Sequence, residues 1–339
     1  MSTTQRTLSI IVVAFNEGPH IARLKRSFDA LRLPDDVQVE TILVDGGSKD
    51  DTVAVAQEAG FTRVEILPGA SIPVCRNKGN ACATGQWIAH IDADCELHED
   101  WFQAALPFLE APEPVVMGWP VSPPQPGTWV ERSWHTHWTH KNLALESYAG
   151  RQVVVKEAFR LLTTRNLIMN REIAEAVEGF DEELPTGEDT DFVFRAYQKG
   201  LAVIAVPELQ VVHHGEPKTL AAFYKQQLWH ANRSSYTKIM RESKGQTGGN
   251  APKFTVLFLA TSLIFIAALI ALVVTCNPWT LIGLLPFPGL IALPAAMIAL
   301  KAKKPFRFFP LCALYAAYGL ARTLDLVGLF RKKTSWKSA

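Results

Sequence analysis

The chain has 339 residues, 48% of them hydrophobic, and its 34 basic and 33 acidic side chains give a near-neutral total that averages two unlike segments. Residues 1–250 hold 24 Lys and Arg against 32 Asp and Glu, whereas residues 251–339 hold 10 basic residues and a single acid, Asp325. No charged residue stands between Lys253 and Lys301, a gap of 47 positions that argues against a wholly soluble protein. The five cysteines are odd in number and form no C-x-x-C pair, so they read as reduced thiols and not as a disulfide framework or a zinc ribbon. The polar start MSTTQRT runs into an apolar stretch too short for a signal peptide, which places the acidic head in the cytoplasm. Nothing in that acidic head points to a nucleic-acid partner.

In chain order, Leu8 to Phe15, Glu40 to Val44, Arg63 to Leu67, Trp87 to Ile91 and Val115 to Gly118 are apolar runs of strand length. Helix-compatible segments lie between them, at Pro19 to Leu31, Asp50 to Ala59, Val74 to Ala83 and Asp100 to Leu109. This alternation predicts βαβ units and a mostly parallel, Rossmann-like sheet flanked by helices. Ligands in such sheets gather at the carboxyl ends of the strands. Three of the predicted strands end in polar clusters, Asn16-Glu17, Asp45-Gly46-Gly47-Ser48 and Asp92-Ala93-Asp94, as a nucleotide site requires.

The turn VDGGSKDDT (residues 44–52) is neither G-x-G-x-x-G nor G-x-x-x-x-G-K-[ST], which removes the main support for a dehydrogenase or a P-loop ATPase. Asp92 and Asp94 are separated by one residue at a strand end, so both can face the same crevice, and two carboxylates there repel unless a cation lies between them. A hard divalent ion, Mg²⁺ or Mn²⁺, suits those oxygens together with a diphosphate. A lone D-x-D is more often a solvated turn.

Four ordered motifs change that balance: VVAFNEG (12–18), LVDGGSKDDT (43–52), CRNKGNACATG (75–85) and HIDADCEL (90–97), followed by TRNLIMNREIAEAVEGFDEELPTGEDTDFVFRAYQKG (164–200) and VVHHG (211–215). Together they resemble a family 2 glycosyltransferase of the GT-A fold, over about 225 of the 339 residues. The resemblance implies that Ala14, Phe15, Asn16, Glu17 and Asp45 hold the nucleoside of a nucleotide sugar, for which a UDP-sugar is favoured. It also implies that Arg76 offsets charge on the diphosphate, that Asp92 faces the nucleoside or metal, and that Asp94 holds the metal. Helix capping by Asp45 and Ser48 and a structural salt bridge of Arg76 are the competing uses. His213 or His214 matches the family's C-terminal metal or phosphate ligand, with His213 preferred. Asp189 in G-E-D matches the catalytic base, beside Glu188; direct displacement at the sugar carbon needs such a base and inverts that centre. The alternative for this segment is an acidic helix N-terminus.

Two departures from the family pattern stand out. Processive members carry Q-x-x-R-W, whereas this chain has Gln226 followed by Trp229 and His230, which favours transfer of one sugar over polymer synthesis. Arg165-Asn166 occupies a segment that usually contains glycine. The stretch SWHTHWTHKN holds His135, His137 and His140 beside Trp134 and Trp138. Zinc ligation would need a further ligand that is missing nearby, so an aromatic surface near the acceptor or the bilayer is expected.

The expected organisation is a catalytic domain over residues 1–240, a linker over 241–253, a membrane region over 254–330 and a basic tail over 331–339. One crossing takes roughly 20 apolar residues, so the uncharged stretch suits two spans, Phe254 to Cys276 and Thr280 to Leu300, turning at Asn277-Pro278. Phe306 to Phe330 contains Arg322 and Asp325 and is flanked by basic residues at both ends, which leaves a third span and an interfacial or re-entrant helix both open. The whole reads as a multi-pass protein of the inner (cytoplasmic) membrane, transferring one sugar to a lipid-linked or glycan acceptor. A polyprenyl-phosphate glycosyltransferase and a silent binding module of a polysaccharide assembly are the alternatives.

Overall fold

The computed structural model describes residues 5–139, 145–184, 186–231 and 251–327. They divide into two compact units, one from Met1–Pro124 with Leu143–Glu216, the other from Gln125–Asn142 with Pro217–Lys333.

In the first unit the chain alternates β1 (Arg6–Ala14), α1 (Gly18–Asp29), β2 (Val37–Asp45), α2 (Thr52–Glu58), β3 (Arg63–Ile66), α3 (Ile72–Cys82) and β4 (Trp87–Asp92). The short β5 (Cys95–Leu97), α4 (Trp101–Leu109) and β6 (Val115–Gly118) follow. After the passage through the other unit come the hairpin β7 (Glu146–Tyr148) and β8 (Arg151–Val153), β9 (Leu167–Asn170), α6 (Arg171–Val177), α7 (Glu188–Gln198), β10 (Ala202–Ala205) and β11 (Val211–His213); the second unit's α5 is described below.

Seven strands form one sheet in the order β10-β6-β9-β4-β1-β2-β3. All neighbours are parallel except those of β9, which runs antiparallel to both β4 and β6. The sheet is buried on both faces, as a parallel sheet must be when helices cover it. Along β1 the residues alternate sides: Leu8, Ile10 and Val12 pack with Ile21, Leu24, Phe28, Trp101 and Phe102, while Ile11 and Val13 pack with Cys75, Val177 and Phe192. Gly79 lets α3 approach closely, because a Cβ there would lie 2.3 Å from a methyl of Ile11.

Register decides where the site forms. Ala14 pairs with Asp45, and Val13 pairs with Asp92, so the ends of β1, β2 and β4 are level at one edge. Because β9 is reversed, it starts at that same edge, with Leu167 beside His90 and Gly118. The segment just before β9, Arg165-Asn166, is therefore delivered to the carboxyl ends of the parallel strands.

The second unit is helical: α5 (Trp129–Thr139), α8 (Leu220–His230), α9 (Ala251–Thr275), α10 (Pro286–Lys301) and α11 (Phe308–Leu326), with 3-10 turns at Pro278–Leu284 and Pro305–Arg307. Ala295, Ile298, Ala299, Leu311 and Tyr315 form its core with Trp134 and Phe254, and Val130, Phe223 and Leu314 form a smaller cluster. His137 stacks on Trp134 at 4.7 Å between ring centres and meets the Tyr315 hydroxyl at 2.8 Å, so two residues of the His/Trp stretch are packed among helices.

Lys253–Thr275 is long and apolar enough to cross a membrane; the pair Pro278–Leu284 and Pro286–Lys301 also qualifies if counted as one span bent by 42°. The expected second span at Thr280 to Leu300 is therefore not one straight helix. Pro286 and Pro288 stand in the first turn of α10, after a separate 3-10 segment. The expected third run folds as the 19-residue α11, which contains Arg322 and is not among the candidate spans of the described residues. His140, residues 241–250 of the linker expected at 241–253, the far end of the third run and the basic tail lie outside the described residues, while residues 251–253 of that linker belong to α9.

Candidate active site

The first two strand ends are stitched together by their loops. Asp45 is fully buried and accepts hydrogen bonds from the N–H groups of Gly47 and Ser48, both at 2.8 Å, and from the Ser48 hydroxyl. Gly47 takes a φ of +97°, and a Cβ there would lie 2.9 Å from the Pro68 backbone, so glycine is required at this turn. Asn16 also has a left-handed φ of 58°; its N–H donates to Ser48 Oγ at 2.8 Å and its Oδ1 accepts from Lys49 N at 2.9 Å. The Glu17 N–H donates to Thr52 Oγ1 at 2.8 Å. Ala14 is the buried last residue of β1, with Phe15 half-buried beyond it. Burial, and then the negative charges of Asp94 and Asp92, push the Glu17 carboxyl up to about 8.

Asp92 and Asp94 lie at the end of β4 but have different partners. Asp92 accepts from Arg76 Nη2 at 3.0 Å, and the same guanidinium reaches Glu188 at 3.4 Å through Nε. The Arg76 side chain is only 4% exposed, and its Nη1 has no hydrogen-bond partner among the described residues. Such a buried cation, half-satisfied by two carboxylates, holds α3, β4 and α7 in one arrangement. Burial, and then the neighbouring Asp189, push Glu188 up to about 7 against the pull of Arg76. Burial also raises Asp189 above the ordinary carboxylate range. Asp189 is half-buried and accepts from the Thr190 N–H at 2.7 Å, while Asp191 pairs with Arg195 at 2.8 Å along α7.

The third part of the site comes from strand pairing. β11 runs antiparallel to β5, and His213 is opposite Cys95, which brings the ring over Asp94. His213 Nε2 is 3.1 Å from Asp94 Oδ1, and Nδ1 is 3.2 Å from Glu216 Oε1. Glu216 also pairs with Arg165 Nη1 at 2.7 Å. Burial would lower His213, but the hydrogen bond and charge of Asp94, with Glu216, hold it up at about 9. Burial would likewise raise Glu216, but His213 and Arg165 hold it down at about 2. His214 projects elsewhere: its Nε2 is 3.0 Å from Glu96, while its N–H donates to the Asp94 carbonyl at 2.9 Å. Gly215 passes so close that a Cβ would lie 1.9 Å from Asp94 Oδ2.

Ligand atoms of Asp94, Cys95 and His213 lie within 4.8 Å of one another. The Cys95 thiol is held well above its ordinary pKa by burial, and it donates to the Arg165 carbonyl at 3.5 Å, so it stays protonated. An oxygen and an imidazole nitrogen remain, with the Asp92 carboxylate nearby in sequence. That donor set fits Mn²⁺ or Mg²⁺ better than a thiolate-seeking metal.

The structure thus brings Glu17, Arg76, Asp92, Asp94, Glu188, Asp189 and His213 into one electrostatic neighbourhood, with charge interactions linking them. Asp45 and Asn16 shape the loops beside it. Sequence reasoning missed Glu216 altogether and noted Arg165 only as a departure from the family pattern. The available signal was the spacing H-H-G-E, which puts a carboxylate three residues after His213. Two other conspicuous polar residues are structural. Asn77 clamps the Phe180 backbone through its N–H at 2.7 Å and its carbonyl at 2.9 Å. Asn166 accepts from the Trp101 indole at 2.8 Å and donates to the carbonyls of Trp119 and Leu209.

The model of the family described as Glycosyl transferase family 2 matches residues 9–177, and the chain belongs to that family. It is a glycosyltransferase with the GT-A fold. Glycosyltransferase AglE of Haloferax volcanii is 24% identical over 224 residues, covering 64% of this chain and 70% of that protein. The uncharacterized glycosyltransferase Rv1514c of Mycobacterium tuberculosis is 32% identical over 121 residues, 34% of this chain and 45% of its own length. Among solved structures, the mannosyltransferase PcManGT from Pyrobaculum calidifontis, in complex with GDP-Man and Mn²⁺, superposes with a TM-score of 0.55 at 17% identity, over 95% of this chain and 88% of that one. S. aureus TarS 1–349 in complex with UDP gives 0.53 at 16% identity, over 96% and 93%.

Proposed function

We propose that this protein is a membrane-anchored, metal-dependent, inverting glycosyltransferase that moves one sugar from a nucleoside diphosphate donor to a lipid-linked or glycan acceptor. The observation that carries this reading is the pairing of two dissimilar acidic centres in one site. Asp94 is held low, as an ionised carboxylate, by His213 against the effect of burial, while Asp189 is held high by burial. The first is suited to cation binding and the second, its proton affinity raised by burial, to proton uptake.

Asp94 and His213, with Asp92, would hold Mn²⁺ or Mg²⁺. A bound divalent ion supplies Lewis-acid stabilisation of the departing nucleoside diphosphate. Arg76 neutralises charge beside Asp92 and keeps Glu188 from facing Asp189 as an unscreened anion. Asp189 takes the proton of the acceptor hydroxyl as the new glycosidic bond forms, and a single displacement inverts the sugar carbon. Ala14, Phe15, Asn16 and Glu17 border the nucleoside side, on a loop that Asp45 and Ser48 shape. PcManGT bound to GDP-Man with Mn²⁺, and TarS bound to UDP, support a nucleoside diphosphate donor; a UDP-sugar is the first to test. The helix at Lys253–Thr275 supports attachment to a membrane, and the basic residues Lys301, Lys303 and Lys304 after the second apolar run favour a cytoplasmic catalytic unit.

The test is transfer of radiolabelled sugar from UDP- and GDP-sugars to membrane lipid and glycan fractions, with and without Mn²⁺. Chelation should abolish transfer, Mn²⁺ should restore it, and Asp189→Asn should lower it about 10²- to 10⁴-fold with folding intact. Undiminished transfer by Asp189→Asn, or by chelated enzyme, would refute the mechanism.

A further inference from the structure

We infer that Glu216 is a positioning residue for the metal site, fixing the His213 ring so that Nε2 faces Asp94. This rests on the metal reading above and adds a residue to it. Strand pairing of His213 with Cys95 fixes the backbone but leaves the ring free to turn about its last side-chain bond. A turned ring would swap nitrogen for carbon toward Asp94. Glu216 removes that freedom by engaging Nδ1 at 3.2 Å from the side opposite Asp94, which lies 3.1 Å from Nε2. A histidine whose Nδ1–H is held by a carboxylate presents Nε2 as the ligating atom, the usual arrangement behind metal-bound histidines.

Glu216 is itself held. Its carboxylate is 12% exposed and bonded to Arg165 at 2.7 Å, and Arg165 reaches this edge because β9 is antiparallel. The chain can turn back from His213 to Glu216 because residue 215 is glycine, where a Cβ would collide with Asp94. Arg165, Glu216, His213 and Asp94 therefore form one ordered row across the site. The row also gives Arg165 a use at a place where the family pattern has glycine.

The experiment is a Mn²⁺ titration of the full-length protein in detergent or nanodiscs, followed by the EPR signal of free Mn²⁺, with and without UDP. Glu216→Ala should weaken Mn²⁺ binding about 10- to 100-fold. Glu216→Gln, whose amide oxygen still accepts from Nδ1, should fall between Glu216→Ala and wild type, and its thermal midpoint should remain near wild type. A merely structural role would lower the midpoint of either variant and leave the Mn²⁺ affinity of the folded protein unchanged, which overturns the inference. Should Glu216→Ala fail to fold, a wild-type Mn²⁺ affinity in Glu216→Gln would overturn it equally. His213→Ala separates the two levels: if it binds Mn²⁺ as wild type does, the metal reading itself fails, whereas loss in His213→Ala with no change in the Glu216 variants sinks only the role of Glu216.

Discussion

The two units solve opposite problems with the same building material. The first hides its apolar residues and gathers charge inside a polar site, where the largely buried Arg76, Glu188, His213 and Glu216 are paired with oppositely charged neighbours. The second turns apolar residues outward, with Val273 and Trp279 75% exposed and Phe309 78% exposed, and carries few charges inside its helices. In water that surface would be a liability. On the membrane-anchored reading proposed above, lipid contact would reverse the sign, because the same side chains would gain from the bilayer what a core would have provided. Charge in the first unit is thus placed for chemistry, whereas in the second the stretch between Lys253 and Lys301 carries none.

That contrast can be broken by exchanging the two chemistries. Placing lysines at Ile264 and Leu269, outward positions in the middle of α9, should cost about 2.5–3.5 kcal/mol each in insertion and release the protein from carbonate-washed membranes. Retention of the double variant in the pellet would mean that α9 does not cross. In the polar unit, Gly215→Ala adds one methyl where Asp94 already stands. It should displace the carboxylate and lower kcat/KM for sugar transfer about 10²-fold without unfolding the sheet, as judged by circular dichroism. The corresponding crowding in the apolar unit is milder. A Cβ on Gly319 would lie 2.2 Å from the Phe258 ring, so Gly319→Ala should destabilise the helical unit by about 1–3 kcal/mol, read as a lower melting point in detergent.

A last expected effect is in pH dependence. Burial favours the protonated forms of Asp189 and Glu188, the latter held up at about 7. A base must be ionised to act, so transfer should rise with pH as Asp189 loses its proton, above the ordinary carboxylate range, and fall about tenfold per unit on the acid side. A flat profile between about pH 5 and 8 would argue against a carboxylate base in this pair.

Much of the first unit was legible because its signals are local. Apolar runs such as Leu8 to Phe15 are too short for helices and too continuous for surface strands, and the polar residues just beyond them fall at a single sheet edge once the strands are parallel. Asp92 and Asp94 could be named for that reason, and Asp189 through the family resemblance of its G-E-D segment. The run Leu167–Asn170 carries no sign of direction, so the reversal of β9 stayed hidden, and with it the delivery of Arg165 to the site. Glu216 was only partly legible for a related reason: the spacing H-H-G-E puts its carboxylate near His213, but the approach of His213 to Asp94 depends on the pairing of β11 with β5, a contact across more than a hundred residues. In the second unit, composition announced apolar helices but not the bend at Leu285, where a 3-10 segment meets α10. Nor does any local pattern say that α5 and α8 pack with the C-terminal helices; Trp134, Val130 and Phe223 meet their partners only in the folded unit.

The central claim is that one site joins a cation position at Asp94 and His213 to a base at Asp189. Crystals grown with Mn²⁺ and UDP, with data collected at the manganese absorption edge, test it most directly. An anomalous peak against the Asp94 carboxylate and His213 Nε2, with the diphosphate on the same ion, is the expected result. A peak elsewhere, or UDP bound with no manganese beside Asp94, would contradict it.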